Sequence, residues 1–392
     1  MFNNLSASIN NSSINYPIAD SNLAFSDYIA LTRAIIEERR ADNAIPHHPD
    51  FVVDANSPFE LYPENPKRSG NRLKYGALLI HGLLDCPFSL KDIGLRLQSN
   101  GILTRAILLP GHGTSPGDLL QVSYHDWLLA VRYGVETLRR EVEQIFLIGY
   151  STGAALSIYQ ALQDSHISGV ILLSPAIRIK APVDIVVGWH SLVKTLSRTS
   201  TQWIYNEAEI DYAKYKSIAF NPVSQVSKLT RVIHDLRQHH TLNAPMFMVV
   251  SHEDETISSH RAIDFFSNMP NEESKLLLYT SFDHQYPDPR ILSRQSHFPD
   301  LGIKHLSHAS IPFAPTNPHY GQQGDYAYAS HTNMKEITYG AYNRIEERWY
   351  HMLYQLGMTQ KKRRELTYNP DFEFMAEKIV NFVLAKENSS ST

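Results

Sequence analysis

The sequence has little cysteine, no long apolar run and no excess of positive charge. Its single cysteine, Cys86, excludes an intramolecular disulfide and a zinc site built on several thiolates. Lysine and arginine number 36 against 40 aspartates and glutamates, and the resulting net charge of −4 argues against nucleic acid as a partner. No apolar run approaches the roughly 18 residues of a transmembrane helix, and residues 169–176, one of the longest, have the length of a strand.

The two ends of the chain are polar, and we expect no secretory signal at the first residues. Residues 1–15 are rich in Asn and Ser and lack both the basic and the apolar region of a secretory signal. We therefore expect a disordered leader at residues 1–20, a frayed tail at residues 386–392 and a cytoplasmic location by default. Export by a signal-independent route stays open, and so does the oligomeric state.

Short apolar runs alternate with amphipathic helix patterns along the chain. The runs at residues 75–80, 105–109, 145–148, 170–173 and 246–250 are typical of strands buried on both faces of a parallel sheet. Between them lie helix-period stripes, one within residues 126–140 and another from Phe372 to Val383. Because strands alternate with helices, the pattern predicts a doubly wound α/β fold.

Two segments interrupt this alternation. Residues 177–243 are too long for an ordinary connection, and we interpret them as a mainly helical lid between core halves at 21–176 and 244–392. The aromatic residues of this segment suggest contact with an apolar acyl chain, although they could equally form its own core. Residues 281–332 are rich in Pro and His and predict a long ordered loop of a type that is often functional.

A short basic run at residues 361–364 stands out near the C-terminal end. We expect it to be a solvated helix face or a turn rather than a membrane patch.

The motif GYSTG at 149–153 follows a predicted strand and precedes a helix pattern. This G-x-S-x-G pattern between strand and helix predicts a nucleophile elbow. Side chains two residues before and after Ser151 would collide in so sharp a turn. Glycine, which has no side chain, is therefore expected at both positions, and the sequence has Gly149 and Gly153 there. The turn would expose the Ser151 hydroxyl at the carboxyl end of the sheet and direct the Thr152 amide at a developing oxyanion.

At these residues the sequence resembles the α/β-hydrolase superfamily, and most of all its lysophospholipase, monoacylglycerol lipase and carboxylesterase group. The matching stretches are LIHGLL (79–84), LPGHGT (109–114), LIGYSTG (147–153) and MVVSHEDETI (248–257). The resemblance implies an α/β-hydrolase fold, with a mostly parallel central sheet, helices on both faces and an inserted lid. It also implies hydrolysis of a small-molecule ester or lipid without a cofactor.

The loop after the first matching stretch would complete the oxyanion hole. In α/β-hydrolases a backbone N–H just after such a His-Gly pair supplies the second donor, and by position that donor is Leu83. We expect His81 to shape the loop rather than act as a base, because it precedes the nucleophile in the chain. Cys86 is expected to be a packed thiol.

The catalytic acid should follow the serine and precede the histidine. In the resembling group it sits four residues past an apolar strand, with an apolar residue three positions further on. Asp254 and Ile257 fit that frame, although Ser251 replaces the usual glycine. We expect Glu253 and Glu255 to be solvated loop charges.

Two histidines compete for the role of base. His284 follows the strand pattern at 275–279, where a monoacylglycerol lipase template has its base, but it leads into a polar, turn-rich stretch. His308 ends a strand-like run at 302–308 and precedes a Pro-rich segment, which resembles the histidine loop of some bacterial hydrolases of this superfamily. We favour His308 and keep His284 as the alternative. His305 would point to the opposite face of that run.

The remaining histidines do not predict a metal site. The histidines considered as possible ligands are irregularly spaced and lack an H-E-x-x-H companion. They are His297, His305, His308, His319 and His331.

The sequence therefore predicts a serine carboxylic-ester hydrolase with Ser151, Asp254 and His308 as its triad. A thioesterase or an amidase on the same scaffold remains an alternative, because the same motif residues would serve an ester, a thioester or an amide. A further alternative is a hydrolase scaffold used only for binding. The presence of the complete set of motif residues argues against it.

Overall fold

The computed structural model describes residues 22–40, 49–178, 202–283, 286–326 and 337–385. The predicted leader at 1–20 and tail at 386–392 lie outside the described residues. Within the described ranges nine strands form one sheet, and two further pairs of strands lie apart from it. The sheet contains β1 (Phe59–Leu61), β2 (Arg68–Ser69), β3 (Arg72–Ile80), β4 (Leu103–Ile107), β5 (Val142–Tyr150), β6 (Ile167–Leu173), β9 (Met246–Ser251), β10 (Lys275–Thr280) and β11 (Ile291–Gln295). The separate pairs are β7 (Trp203–Tyr205) with β8 (Ile218–Ala219), and β12 (Ile337–Gly340) with β13 (Lys362–Glu365).

The sheet is mostly parallel, as the sequence predicts. Its strand order is β1-β4-β3-β5-β6-β9-β10-β11, with β2 also paired to β3. Every neighbouring pair from β4 to β11 is parallel, and the short strands β1 and β2 are antiparallel to their neighbours. The near-continuous apolar runs follow from burial on both faces. In β5, Ile145 and Leu147 enter one core cluster, and Phe146 and Ile148 enter the other.

Helices cover both faces of the sheet. They are α1 (Phe25–Arg39), α2 (Pro49–Asn56), α3 (Lys91–Gln98), α4 (Tyr124–Arg139), α5 (Thr152–Gln163), α6 (Phe220–Leu236), α7 (Ser259–Ser267), α8 (Arg344–Gln355) and α9 (Phe372–Leu384). Buried side chains of α4, α5, α6 and α7 join one core cluster, and those of α3 and α9 join the other. The predicted stripe in α4 is buried around Trp127, and a capping box of Ser123 and Asp126 starts that helix. Among the described helices, none has the length and apolar character needed to span a bilayer.

The strand order creates a crevice at the carboxyl ends of the strands. From β3 the chain moves to β4 on one side and then to β5 on the other, and such a switch point leaves the loops above it apart. The ends of β3 and β5 lie side by side, with Ile80 paired to Gly149. The loop that begins at His81 therefore borders Ser151.

An additional strand lengthens the route from the sheet to the second candidate histidine. After β10 the chain forms β11, parallel to β10 at the sheet edge, and turns back through a 3-10 turn at Pro299–Leu301. Ile303 bridges to Tyr339 of β12, and the Ser251 hydroxyl at the end of β9 donates to the Leu306 carbonyl at 2.7 Å. The predicted loop at 281–332 thus contains a strand, and its residues 284–285 and 327–332 lie outside the described residues.

The described part of the predicted lid is not mainly helical. Residues 179–201 lie outside the described residues, and the following stretch contains the antiparallel pair β7–β8 and irregular chain before α6. Helix α6 packs into the core through Val226, Leu229 and Ile233. It supplies the crossover that two parallel strands, β6 and β9, require.

The basic run at 361–364 is also not what the sequence analysis predicts. Lys362–Glu365 is strand β13, paired in parallel with β12, rather than a helix face or a turn. The residues of this strand are half-buried, and the charged groups of Lys362 and Arg363 lie over aromatic rings of α8.

Candidate active site

Ser151 occupies a strained turn between β5 and α5. Its φ is +54° and its ψ is −111°, a conformation that residues other than glycine rarely adopt. A Cβ atom at Gly149 would lie 2.3 Å from the Gly153 carbonyl oxygen, and one at Gly153 would lie 1.9 Å from the Ile80 carbonyl oxygen. The close approach of these backbones therefore requires glycine at both positions, and the strand–turn–helix context predicted for the motif is present.

The structure brings three of the predicted site residues into one hydrogen-bonded chain. The His308 Nε2 atom lies 3.0 Å from the Ser151 hydroxyl oxygen, and its Nδ1 atom lies 2.8 Å from Asp254 Oδ2. Asp254 is fully buried, and its Oδ1 atom accepts hydrogen bonds from the amides of Thr256 and Ile257 at 2.8 and 2.9 Å. These two amides fix the carboxylate so that Oδ2 faces the imidazole.

His308 is held by its backbone as well as by its ring. Its N–H donates to Glu255 Oε2 at 3.0 Å, and its carbonyl accepts from the Tyr150 hydroxyl at 3.3 Å. The Tyr150 ring lies beside the imidazole with 5.3 Å between centroids. The preceding residue, Ser307, donates from its hydroxyl to the Leu366 carbonyl. The imidazole is therefore oriented by hydrogen bonds to its ring, to its own backbone and to the preceding residue.

The carboxylates around His308 favour its protonated form. Burial lowers the pKa of His308, but the negative charge and hydrogen bond of Asp254, together with the charge of Glu255, raise it above the ordinary value of 6.5. Burial, Asp254 and Glu365 raise the pKa of Glu255 to about 8. An imidazolium formed when Ser151 loses its proton is thus stabilised within the site.

The expectation that Glu253 and Glu255 are solvated loop charges is wrong. Glu253 accepts hydrogen bonds from the Ser281 amide and the Ser296 hydroxyl at 2.8 and 3.2 Å, and so ties β10 to the end of β11. Glu255 is partly buried and accepts the His308 amide. Each carboxylate thus binds a segment that is distant in the chain, Glu253 the ends of β10 and β11 and Glu255 the backbone of His308. Such long-range contacts cannot be predicted from the local sequence.

The other histidines of the sequence analysis have separate places. His284 and His331 lie outside the described residues. His305 accepts the Ala341 amide through Nδ1 at 2.8 Å, and the Nδ1 atom of His297 lies 3.1 Å from the Lys304 carbonyl oxygen. His319 is buried between two aspartates. Within the described ranges, no group of three or more His, Cys, Asp or Glu side chains is arranged to hold a metal ion.

The loop after β3 is shaped by two neutral histidines. His81 accepts the Leu109 amide through Nε2 at 3.0 Å, and His112 accepts the Leu84 amide through Nε2 at 3.1 Å. Burial and the neighbouring His112 lower the pKa of His81 well below its usual range, and burial lowers the pKa of His112 to about 4. Both rings can therefore act as acceptors at neutral pH. Leu84 has a φ of +65°, a strained conformation that the contact with His112 helps to hold.

Two backbone amides border the nucleophile. Thr152 is the first residue of α5, so its amide has no carbonyl partner within the helix. Leu83 belongs to the loop that packs against the elbow, where a Cβ atom at Gly82 would lie 3.3 Å from Ser151 Cβ. Cys86, further along this loop, is fully buried, and its thiol donates to the Ala55 carbonyl at 3.2 Å. Burial raises the pKa of this thiol, which makes it a packed side chain rather than a nucleophile.

The sequence analysis missed a lysine beside the site. The Lys214 ammonium lies 3.9 Å from Asp85 Oδ2, and its charge opposes part of the rise in the pKa of His308 that Asp254 and Glu255 cause. Three aromatic rings surround it at 5.2 to 5.6 Å, those of Tyr150, Phe313 and Tyr320. Lys214 thereby connects the segment between β7 and β8 to the loop after β3 and to the segment after His308. No motif marks this lysine, because its partners are distant in the chain.

Comparisons with known proteins agree with this architecture. The family described as serine aminopeptidase, S33 matches residues 74–287, more than half of the chain. A thermostable monoacylglycerol lipase from Bacillus sp. (strain H-257) is 24% identical over 230 residues, which are 57% of this chain and 89% of the relative. The match to the family ends before His308.

Two solved structures are similar in fold. The monoacylglycerol lipase of Paleococcus ferrophilus has a TM-score of 0.46 at 20% identity, with 59% of this chain and 91% of that protein covered. A soluble variant of monoglyceride lipase from Saccharomyces cerevisiae, bound to a substrate analogue, has a TM-score of 0.46 at 18% identity, covering 57% and 82%. By its family match, the chain belongs to the serine aminopeptidase S33 family of α/β-hydrolases.

Proposed function

We propose that the protein hydrolyses carboxylic esters through a triad of Ser151, Asp254 and His308 and an acyl-enzyme intermediate. The observation that carries the proposal is the position of the His308 imidazole, which lies within hydrogen-bond distance of both Ser151 and Asp254. This is the arrangement that a serine needs for activation by a general base, with a carboxylate holding the imidazole in one tautomer.

Each step of the reaction has a residue to perform it. His308 takes the Ser151 proton through Nε2 as the hydroxyl oxygen attacks the ester carbonyl carbon. The imidazolium then gives that proton to the leaving alcohol as the C–O bond breaks. Water then attacks the acyl-enzyme as the same imidazole takes its proton. The imidazolium returns that proton to the Ser151 oxygen as the acyl C–O bond breaks and the acid leaves.

The oxyanion of each tetrahedral intermediate would be bound by the amides of Leu83 and Thr152. The Leu83 amide belongs to the loop whose neighbouring amides His81 and His112 accept, and the Thr152 amide lies at the start of α5, so we expect both to be held in place before the substrate binds. Donors that are fixed in advance need no reorganisation as charge develops, and a single donor contributes on the order of 10²–10³ in kcat.

The substrate class we propose is an ester with an apolar acyl chain, of the monoacylglycerol or lysophospholipid type. The monoacylglycerol lipase among the relatives supports this class. In this proposal the lid is the segment between β6 and α6, which is shorter than the 177–243 segment that the sequence predicts. It would determine which acyl-chain lengths the enzyme prefers. Its described part approaches the site through Lys214, which lies over Tyr150 of the elbow.

Amide hydrolysis is the second candidate, since the family is described as a serine aminopeptidase. The same triad could serve an ester, a thioester or an amide. Paired acyl substrates that differ only in the leaving group, p-nitrophenyl ester, thioester and p-nitroanilide, distinguish the three. We expect kcat/KM to be highest on the ester, and an anilide rate above the ester rate would replace the proposal with the second candidate.

Replacing the nucleophile tests the proposal directly. We expect Ser151→Ala to lower ester hydrolysis by about 10⁴ or more, since loss of a triad serine removes the covalent step. Ser157→Ala is the matched control, because its hydroxyl lies on the same helix and donates to the Gly153 carbonyl instead. The measurement is hydrolysis of p-nitrophenyl butyrate, with circular dichroism as the check on folding. A folded Ser151→Ala protein with wild-type activity would overturn the assignment.

A further inference from the structure

Helix α8 carries an exposed apolar stripe. Ile345, Trp349, Met352 and Leu356 recur at intervals of three and four residues and so lie along one side of the helix, and Met358 follows just beyond its end. Between 41% and 69% of each of these residues is exposed. Single exposed apolar side chains are common on proteins, whereas a contiguous row of them indicates an interaction surface.

The other side of α8 attaches the helix to the rest of the protein. Tyr350 and Tyr354 are half-buried, and cations of strand β13 lie over their rings. The Arg363 guanidinium is 3.5 Å from the centre of the Tyr350 ring, and the Lys362 ammonium is 4.7 Å from that of Tyr354. The helix therefore packs through its aromatic side and leaves the apolar stripe outward.

Positive charge accompanies the stripe. Residues 344–365, from the start of α8 to the end of β13, contain six Lys and Arg against three Glu, although the chain as a whole has a net charge of −4. Four of these cations are consecutive, at 361–364, and Lys361 is exposed at the start of the run. Cations placed beside an apolar helix face are complementary to an anionic lipid surface.

We infer that α8 and strand β13 form a docking surface for membranes that contain anionic phospholipids. The stripe, with Trp349 at its centre, would enter the boundary between headgroups and acyl chains, and the exposed Lys361 at the start of the basic run would bind the headgroups. A second copy of the chain fits the surface less well. The surface has five exposed apolar side chains, far fewer than the roughly 20–30 residues that each partner contributes to a stable protein interface.

The docking surface adjoins the segment beside the active site. Arg344 donates to the Lys216 carbonyl at 3.0 Å, and both Arg344 and Arg348 pair with Glu207. Lys214, two residues before Lys216, lies over a ring of the elbow. Docking would thus bring the site close to the lipid surface, a consequence that rests on the proposed function. Binding itself does not depend on it.

Vesicle flotation with the full chain tests the inference. Vesicles of phosphatidylcholine alone are compared with vesicles that also contain phosphatidylglycerol. We expect the wild-type protein to float with the anionic vesicles and to be released by salt. The double substitution Ile345→Ser with Trp349→Ser should lower partitioning at least ten-fold, and Lys361→Glu should lower it at least five-fold, since each charge near an anionic surface contributes about that factor.

Matched controls keep the test specific. Leu31→Ser removes an exposed leucine of α1, and Lys228→Glu reverses an exposed charge of α6, and both should leave partitioning unchanged. All variants should hydrolyse soluble p-nitrophenyl butyrate at the wild-type rate, and Ser151→Ala should float like the wild type. Failure of docking is thereby separated from failure of the proposed function.

Three outcomes would overturn the inference. The first is a wild-type protein that binds neither kind of vesicle. The second is an equal loss of partitioning in the control variants. The third is a dimer in sedimentation velocity that dissociates on the double substitution, which would assign the stripe to a second copy of the chain.

Discussion

At the scale of single residues, the choice of base is the sharpest question the chain poses. His308 lies between Ser151 and Asp254, whereas His284 lies outside the described residues. We expect His308→Ala to lower kcat/KM on a short-chain ester by about 10⁴ or more, because the serine loses its general base. His284→Ala should keep most of the activity. An inactive His284 variant beside an active His308 variant would restore the simpler monoacylglycerol lipase template.

The carboxylates around His308 predict the pH dependence of the reaction. The base must be neutral to accept the Ser151 proton, so activity falls as the pH drops through the pKa of His308. Because Asp254 and Glu255 raise that pKa, the acidic limb of kcat/KM should have a midpoint above 6.5. Glu255 gains its negative charge only as the pH approaches its own raised pKa of about 8. Glu255→Gln removes that charge, so the upper part of the limb, and with it the midpoint, should move to lower pH.

A matched variant separates this electrostatic effect from a structural one. Glu253→Gln alters the neighbouring carboxylate, which binds Ser281 and Ser296 and not His308. Its limb should stay at the wild-type midpoint in pH profiles of p-nitrophenyl butyrate hydrolysis. Equal midpoints in the wild type and both variants would mean that Glu255 only supports the backbone of His308.

At the scale of elements, the segment that carries His308 is fixed to the end of β9. The Ser251 hydroxyl donates to the Leu306 carbonyl at 2.7 Å, and both residues are fully buried. Ser251→Ala leaves that carbonyl without its donor, a change that costs about 1–3 kcal/mol for a buried group. We expect a lower free energy of unfolding and a fall in kcat with little change in KM, because the imidazole is less well positioned.

The control for this variant is Ser99→Ala on the surface. Its hydroxyl donates to the Arg96 carbonyl at 2.9 Å, at the exposed end of α3. Urea unfolding and steady-state kinetics should show neither effect there. A Ser251→Ala protein that is destabilised and yet has the wild-type kcat would show that the hydrogen bond serves stability alone.

The elements differ in how much the sequence predicts of them. The elbow is readable because its geometry is local, in that two glycines and a serine within five residues meet one steric demand. The buried strands are readable because burial on both faces imposes apolar runs. Asp254 is readable from its distance to the end of its strand. In each of these cases, the residues that determine the local structure lie within one short stretch of the chain.

The remainder depends on contacts between distant parts of the chain. His308 meets Asp254 across 54 positions and Ser151 across 157, and the intervening strand β11 has no strong apolar run because it lies at the sheet edge. Helix α6 has an amphipathic pattern that fits a lid as well as a core crossover, so only its packing on the sheet distinguishes the two. The partial burial of Glu255 likewise follows from the return of a loop.

At the scale of the whole molecule, a buried charge cluster joins the segment before β8 to the loop that follows His308. The Nε2 atom of His319 lies 3.1 Å from Asp211 Oδ1, and its Nδ1 atom contacts Asp325. The Tyr320 hydroxyl donates to Asp211 Oδ2 at 2.7 Å, and the Lys216 ammonium lies 3.7 Å from the same oxygen. The two segments that border the site are therefore held together through one carboxylate.

The cluster predicts how stability depends on pH. Burial alone would raise the pKa of Asp211, but hydrogen bonds from His319 and Tyr320 and the charge of Lys216 hold it far below the ordinary 3.8. A carboxyl with a depressed pKa in the folded state contributes stability that is fully present above pH 3.8 and is lost as the pH falls below it.

Asp211→Asn should therefore destabilise the protein most at neutral pH. Breaking one partner of a buried ion pair costs about 3–5 kcal/mol, and the deficit should shrink below pH 3.8 by up to about 1.4 kcal/mol per pH unit. Urea unfolding at a series of pH values measures both quantities. Asp300→Asn, on the exposed 3-10 turn, should follow the wild-type curve. A deficit that stays constant across the whole pH range would mean that Asp211 acts through packing and not through its charge.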